Sequence, residues 1–127
     1  MHAGRVVLIA MLLLGACGMD SAHGGSANEQ AFRDAIVSYT NAFANGDAAG
    51  AWAQVSQRCK KQIAESFYRA TAGQGVPGLT ATNIRIEVGG NLGRASYETG
   101  VAGIGPYFQQ PWRFEDGQWH WDACPRY

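Results

Sequence analysis

The sequence predicts an α+β domain, in which N-terminal helices pack on one face of a curved antiparallel sheet of about four strands. Apolar residues recur at every third or fourth position between residues 32 and 67, which is the period of helices with one buried face. Beyond a Gly- and Pro-rich loop at residues 73–81, the apolar period changes to two from Ile84 onward. Asp116-Gly117, between two apolar runs, is typical of a two-residue hairpin turn. Helices followed by antiparallel strands define the fold class.

The length, charge and hydrophobicity of the chain exclude several classes of protein. Its 127 residues suit one domain with one core. Ten Lys and Arg residues balance ten Asp and Glu residues, which argues against a nucleic-acid-binding protein that works through a broad basic surface. A hydrophobic content of 46% excludes a wholly disordered chain.

Residues 1–16 are predicted to be an export signal peptide. Arg5 precedes an apolar run of nine residues, Val6 to Leu14. A helix of that length reaches only about 14 Å, less than half of a bilayer core of about 30 Å. Leu14-Gly15-Ala16-Cys17 resembles the bacterial lipobox, and the resemblance implies cleavage before Cys17 and a diacylglycerol on its sulfur. An ordinary secretory leader is the alternative, and either interpretation exports the chain.

The lipobox resemblance predicts a lipoprotein held by palmitate-like acyl chains on the outer face of the bacterial cell membrane. Residues 17–27 then comprise the lipidated Cys17 and a flexible tether of small and polar residues. Residues 28–127 form the folded domain. The membrane, contacted through this lipid, is the first predicted partner; which membrane holds the anchor stays open.

Two cysteines remain for the folded domain, Cys59 and Cys124. An even pair in an oxidising compartment usually forms a disulfide, and 65 residues separate these two, so that the bridge closes most of the domain. A metal site and a catalytic thiol are the competing interpretations. The sequence contains no CxxC motif and no His at ligand spacing from either Cys, so no metal and no cofactor are expected.

Polar and glycine residues set the limits of the predicted helices. Residues 26–29 match a capping box, which starts a helix with the apolar stripe Phe32, Ile36, Tyr39 and Phe43. Asn45-Gly46 ends this helix, and Asp47 caps a short second one. Ser56 caps a third helix, which Gly73 ends and whose buried face holds Cys59, Ile63 and Phe67.

Alternating residues predict four strands, the last from Gln118 to Cys124. With Asp116-Gly117 as the loop, the opposed pairs of the last hairpin are Glu115 with Gln118, Phe114 with Trp119, Arg113 with His120, and Trp112 with Trp121. One face then carries the tryptophans and packs on the helices, while Cys124 falls on the opposite face and must still reach Cys59. Three solutions exist: a bulge near Ala123, a Cys124 that lies beyond the regular strand, or a Trp face turned outward. The first two are favoured.

Residues 29–124 resemble the nuclear transport factor 2-like superfamily, the cone-shaped α+β fold shared with SnoaL-like polyketide cyclases and ketosteroid-isomerase-like proteins. The resemblance rests on the first helix from Phe32 to Phe43, on the Asn45-Gly46-Asp47 step into a short helix with Trp52, and on the terminal segment Glu115 to Trp121. The whole chain is similar to small exported lipoproteins of bacterial envelopes that carry this fold.

The resemblance implies that an acid–base residue of an enzyme would lie inside the cone. His120 with Asp122 is one candidate, because residues two apart on a strand share a face; a solvated strand face is the alternative. Tyr39 could donate a hydrogen bond into a pocket, or it could be core. No Asp-plus-Tyr pair matches an active site of the superfamily, so no catalytic residue is firmly assigned. The aromatic candidates for a pocket lining, or simply for the core, are Trp52, Phe67, Trp112, Phe114, Trp119 and Trp121.

The sequence predicts three alternative functions. The preferred one is a membrane-anchored, non-catalytic module that binds an apolar small ligand or an envelope protein partner. The second is a small isomerase- or cyclase-like enzyme that uses His120 or Asp122 as its base. The third is an assembly module that forms a homodimer through its sheet. No nucleic-acid partner is expected.

Overall fold

The computed structural model describes residues 27–126 and confirms the α+β class. The described elements, in chain order, are the helices α1 (Ala27–Ala44), α2 (Ala48–Ala53), α3 (Gln57–Lys60) and α4 (Glu65–Ala72), followed by the strands β1 (Thr82–Gly89), β2 (Leu92–Glu98), β3 (Tyr107–Glu115) and β4 (Gln118–Trp121). The predicted signal peptide, the lipidated Cys17, the tether up to residue 26 and the capping residue Ser26 lie outside the described residues.

The four strands form one antiparallel sheet in the order β1-β2-β3-β4. The register of the last hairpin is the predicted one: Phe114 faces Trp119 and Trp112 faces Trp121. Asp116 and Gly117 both have positive φ, 52° and 75°, as a type I′ turn requires. This turn chemistry is local, and it explains why the register could be predicted from the sequence.

The position of Cys124 follows the second of the three solutions. Strand β4 ends at Trp121, and Cys124 lies beyond it. At Trp121 the chain pairs with the segment that joins α2 to α3: the Trp121 N–H donates to the Gln54 carbonyl at 2.7 Å, and the Ser56 N–H donates to the Trp121 carbonyl at 2.8 Å. The strand pattern is thereby interrupted, and Cys124 turns toward Cys59 while the tryptophans keep facing the helices.

The end of α1 and the N-cap of α2 are the predicted ones, but the third predicted helix is wrong. Gly46 ends α1 with φ +68°, and the Asp47 carboxylate accepts the Gly50 N–H at 3.0 Å at the start of α2. Instead of one helix from Ser56 to Gly73, the chain forms α3, a turn, and α4. The turn shifts the helical phase by one residue.

The phase shift exchanges the roles of two neighbouring aromatic residues. The Gln62 and Ile63 N–H groups both donate to the Cys59 carbonyl, and Ala64 is extended, so α4 begins anew without a side-chain cap. As a result Tyr68 is buried, whereas Phe67, predicted to be on the buried face, is 72% exposed.

The core has two adjoining parts. On the sheet, the Phe32 ring stacks on Trp119 with a centroid distance of 4.4 Å, and this close approach of α1 requires Gly93, where a Cβ would lie 2.4 Å from the Phe32 ring. The second part lies among the helices and consists of Ala42, Ala51, Trp52, Val55, Cys59, Tyr68, Ala72 and Cys124. Among residues 27–126 no helix is both long enough and apolar enough to cross a bilayer.

Two β-bulges bend one end of the sheet. In β1, the two residues between Thr82 and Arg85 oppose a single residue of β2, Tyr97, and the first of them, Asn83, adopts φ 51°. In β3 a second irregularity contains Gln109 at φ 49°, whose N–H donates to the Ser96 hydroxyl at 2.9 Å. Bulges increase the local twist and bend of a strand. The bend lies at the end of the sheet where a cavity opens against the helices.

Candidate functional site

A cavity of about 460 Å³ lies between α1, α4 and the inner face of the sheet. The loops that follow α4 and β2 complete its wall. The lining residues are Tyr39, Thr40, Phe43, Tyr68, Thr71, Gln74, Gly75, Val76, Leu79, Tyr97, Thr99, Ile104, Tyr107, Gln110 and Trp121. Its size falls in the range of sites that enclose a small molecule.

Aromatic rings form much of the wall. The Tyr39 ring lies nearly parallel to Trp121, with centroids 6.0 Å apart, and meets Phe43 edge-on at 5.2 Å. Trp121 is held on both sides, because its backbone bonds to Gln54 and Ser56 across the parallel bridge with Val55. A wall of this kind is rigid and favours flat apolar ligands.

Two tyrosine hydroxyls meet at the boundary between α1 and α4. The hydroxyl of Tyr39 hydrogen-bonds to the hydroxyl of Tyr68, and either one can donate. Because a single hydrogen bond between two hydroxyls uses only one of their two protons, the other proton is available to a ligand. The pair therefore supplies a hydrogen-bond donor in a mostly apolar cavity.

A second polar position lies on the sheet. The Tyr97 hydroxyl donates to the Gln110 side-chain carbonyl at 2.9 Å, and the Tyr97 ring packs on Tyr107 at 5.2 Å. This bond joins β2 to β3 beside the bulge. The Gln110 amide nitrogen makes no hydrogen bond to another described residue, so it too can serve a ligand.

The ionisable groups of the cavity are all phenols. Burial raises the pKa of Tyr39 and of Tyr97 well above the usual value. Burial also raises the pKa of Tyr68 to about 12, although the hydrogen bond from Tyr39 opposes that rise. The lining residues include no Asp, Glu, Lys, Arg or His. The cavity wall thus holds hydrogen-bond donors but no acid or base that titrates near neutral pH.

Asp122, a candidate base, is completely buried and does not line the cavity. Its Oδ1 accepts hydrogen bonds from the Ser56 hydroxyl at 2.6 Å and the Arg58 Nε at 3.0 Å. Its Oδ2 lies 3.1 Å from Arg126 Nη2 and 3.7 Å from Arg113 Nε. Three arginines therefore surround one buried carboxylate, and we interpret Asp122 as a structural anchor.

His120, the other candidate, is half-buried on β4 opposite Arg113 and also lies outside the cavity wall. Its Nδ1 is buried and has no hydrogen-bond partner among the described residues, so Asp122 does not orient it. Because side chains alternate along a strand, His120 lies on the sheet face opposite that of Trp119 and Trp121. Neither His120 nor Asp122 is therefore positioned to contact a ligand bound in the cavity.

Of the aromatic candidates for the lining, Trp121 lies in the wall and the other five do not. Trp112 and Trp119 are buried against α1, and Phe114 packs against Trp119. Trp52 belongs to the helical part of the core, and Phe67 points to solvent. Tyr39, predicted as either a donor or core, does line the cavity.

Sequence reasoning missed Tyr68, Tyr97, Tyr107 and Gln110. Tyr97 could have been found, because it lies two residues after Ala95 on β2 and therefore shares the inner face of the sheet with it. Tyr68 could not have been found in this way, because the uninterrupted helix predicted from Ser56 buries Phe67 and leaves Tyr68 off the buried face.

The predicted disulfide is present: Cys59 and Cys124 are bonded, with their Cα atoms 5.7 Å apart. Arg58 adds to this closure, since its Nη2 donates to the carbonyls of Asp122 at 2.7 Å and Cys124 at 3.2 Å. Within residues 27–126 no group of three or more His, Cys, Asp or Glu side chains is placed to hold a metal ion.

Comparison of the chain with protein-family models, with curated proteins and with solved structures finds no match. The chemistry of the cavity is therefore the basis for assigning a function.

Proposed function

We propose that this chain is a bacterial envelope lipoprotein that binds one small, uncharged, mainly apolar molecule without transforming it. In this proposal the lipid on Cys17 holds a nuclear transport factor 2-like domain at the membrane, and the cavity between α1, α4 and the sheet is the interior of its cone. The lipobox-like segment, the order of the elements and the bent four-stranded sheet support the assignment.

The lining of the cavity selects the ligand class. An ion moved into an apolar site loses its hydration, which costs several kcal/mol unless an opposite charge meets it, and the wall offers none. Flat apolar molecules gain from the rings of Tyr39 and Trp121. The remaining proton of the Tyr39–Tyr68 pair favours a ligand with a carbonyl or ether oxygen.

The observation that carries the non-catalytic assignment is the absence, among the lining residues, of any ionisable group except tyrosine. A neutral phenol with a raised pKa can polarise a carbonyl, but it accepts no proton near neutral pH. Binding is therefore the activity that these residues can support on their own.

A matched series of ligands tests the proposal. The full-length protein in phospholipid nanodiscs is titrated with 2-acetylnaphthalene, 2-ethylnaphthalene and 2-naphthoate, with empty nanodiscs as the reference. We expect the ketone to bind most tightly and the carboxylate most weakly. Tyr39→Phe combined with Tyr68→Phe removes both hydroxyl protons and should weaken ketone binding about tenfold, the effect of a lost hydrogen bond of about 1.4 kcal/mol, while hydrocarbon binding should not change.

A matched control keeps this test specific. Phe108 is 77% exposed on β3 and does not line the cavity, so Phe108→Ala should not change any of the three affinities. Equal binding of the ketone and the carboxylate would refute the ligand class. Conversion of the ketone during the incubation, seen by mass spectrometry, would refute the non-catalytic assignment.

A further inference from the structure

Helix α4 has one side in the cavity and one side in solvent. Tyr68 and Thr71 line the cavity, whereas Phe67 is 72% exposed. Thr71 is itself exposed, so it lies at the mouth of the cavity. Its hydroxyl donates to the Phe67 carbonyl at 3.0 Å, one helical turn back. A large apolar side chain therefore stands next to the entrance for a ligand.

The segment that carries Phe67 is basic, although the whole chain is neutral. Residues 57–72 contain four cations, Arg58, Lys60, Lys61 and Arg69, and one anion, Glu65. Arg58 is paired with Asp122, and Arg69 lies 3.4 Å from Glu65. Lys60 and Lys61 form no ion pair within 4.0 Å among the described residues. Two uncompensated positive charges therefore lie on the same segment as Phe67.

The two lysines differ in their contacts. The Lys60 Nζ lies 5.5 Å from the centroid of the Trp52 ring, and that ring in turn packs on Tyr68 of α4 at 5.3 Å. Lys61 is exposed, so its long side chain can reach outward. We define the mouth edge as Lys60, Lys61, Phe67 and Thr71.

We propose that the mouth edge docks on an anionic phospholipid surface, so that the cavity takes its ligand from the bilayer. Phe67 enters the interfacial region, the lysines contact lipid phosphates, and Thr71 at the entrance then faces lipid. The inference rests on the proposed function for the lipid anchor and for the identity of the ligand; the docking itself is measurable without a ligand.

Charge and polarity favour a bilayer as the occupant. An anionic membrane attracts basic residues close to its surface, and aromatic side chains near basic residues are typical of interfacial segments. The attraction from two lysines and one Phe is too weak to hold a free domain on a membrane. A lipid-anchored domain is already close to the membrane, and its effective concentration at the surface is therefore high. A weak edge is therefore enough to set the orientation of an anchored domain.

Fluorescence quenching by brominated lipid tests this orientation. Full-length protein carrying Phe67→Trp is compared with protein carrying Leu92→Trp, both in vesicles of brominated phosphatidylglycerol and phosphatidylcholine. Leu92 is the matched control, because it is 54% exposed and begins β2, at the opposite end of that strand from the cavity residue Tyr97. The signal of the native tryptophans, measured on the unsubstituted protein, is subtracted.

We expect the tryptophan at position 67 to be quenched several-fold more strongly than the one at position 92. The difference should shrink when Lys61→Glu is added or when brominated phosphatidylcholine is the only lipid. Equal quenching at the two positions, or stronger quenching at position 92, would overturn the proposal. Because no cavity ligand is present, such a failure leaves the ligand titration as a separate test of the proposed function.

Discussion

The carboxylate of Asp122 accepts a hydrogen bond from the hydroxyl of Ser56 at 2.6 Å, and both side chains are completely buried. Ser56 is also the cap of α3, where its hydroxyl oxygen accepts the Cys59 N–H at 3.2 Å. One buried contact thus ties the segment after β4 to the start of the helix that carries the disulfide. The neighbouring residue Trp121, part of the cavity wall, is held in place by the same junction.

Loss of the Asp122 carboxylate should strongly destabilise the domain. Asp122→Ala leaves partly buried Arg58 without its carboxylate partner, and we expect the free energy of unfolding to fall by about 3 kcal/mol or more. Urea denaturation measures the loss. Asp34→Ala is the control, because within residues 27–126 exposed Asp34 bonds only to exposed Gln30, and its removal should cost less than about 0.5 kcal/mol. Equal losses for the two variants would contradict the anchoring role.

The disulfide should contribute a large share of the stability. Its 65-residue separation predicts that Cys59→Ala with Cys124→Ala lowers the free energy of unfolding by roughly 4 kcal/mol, because the unfolded chain regains its freedom. Urea denaturation with and without a reductant provides the measurement. The double variant should not respond to the reductant. If the native protein does not respond either, the contribution of the bridge is refuted.

Gly93 should tolerate no side chain. Gly93→Ala places a methyl group 2.4 Å from the Phe32 ring and 2.9 Å from Trp119, so α1 must move away from the sheet. We expect a loss of about 1–3 kcal/mol, as for other overpacked cores, measured by thermal or urea denaturation. Gly89→Ala, also on a strand but with open space around its Cβ, is the matched control and should change little.

Stability should fall at high pH because of Tyr68. The pKa of this phenol is about 12 in the folded protein against 10.0 as its ordinary value, so the folded state holds the proton more tightly. Its contribution is complete below pH 10 and is lost as the pH rises from 10 to about 12. Urea midpoints across this range should fall less steeply for Tyr68→Phe than for the native protein. The two proteins differ only in this phenol, so identical slopes would exclude the effect.

The parts of the fold that were predicted correctly depend on local chemistry. Asp116-Gly117 dictates the hairpin turn and with it the register of β3 and β4. Asp47 and Ser56 cap helices through bonds to residues only three positions away. Such features need no information from distant parts of the chain.

The helix that was predicted incorrectly shows the limit of periodicity. Cys59, Ile63 and Phe67 have a perfect spacing of four, yet the chain breaks after Lys60 and places Tyr68 inside. A disulfide from Cys59 to a tail beyond the sheet and the packing of α4 on α2 outweigh the local pattern. The wall of the cavity depends on this break.

By itself the sequence determined the α+β class, the two faces of the terminal hairpin and the partnership of Cys59 with Cys124. Each is encoded within a few neighbouring residues, or by there being only one pair of cysteines in the domain. Only the tertiary structure decided that Tyr39 meets Tyr68 in a cavity while Asp122 is sealed among arginines. The helical phase of α4 and the end of β4 at Trp121 depend on packing between segments that are far apart in sequence. No local sequence pattern predicts that packing.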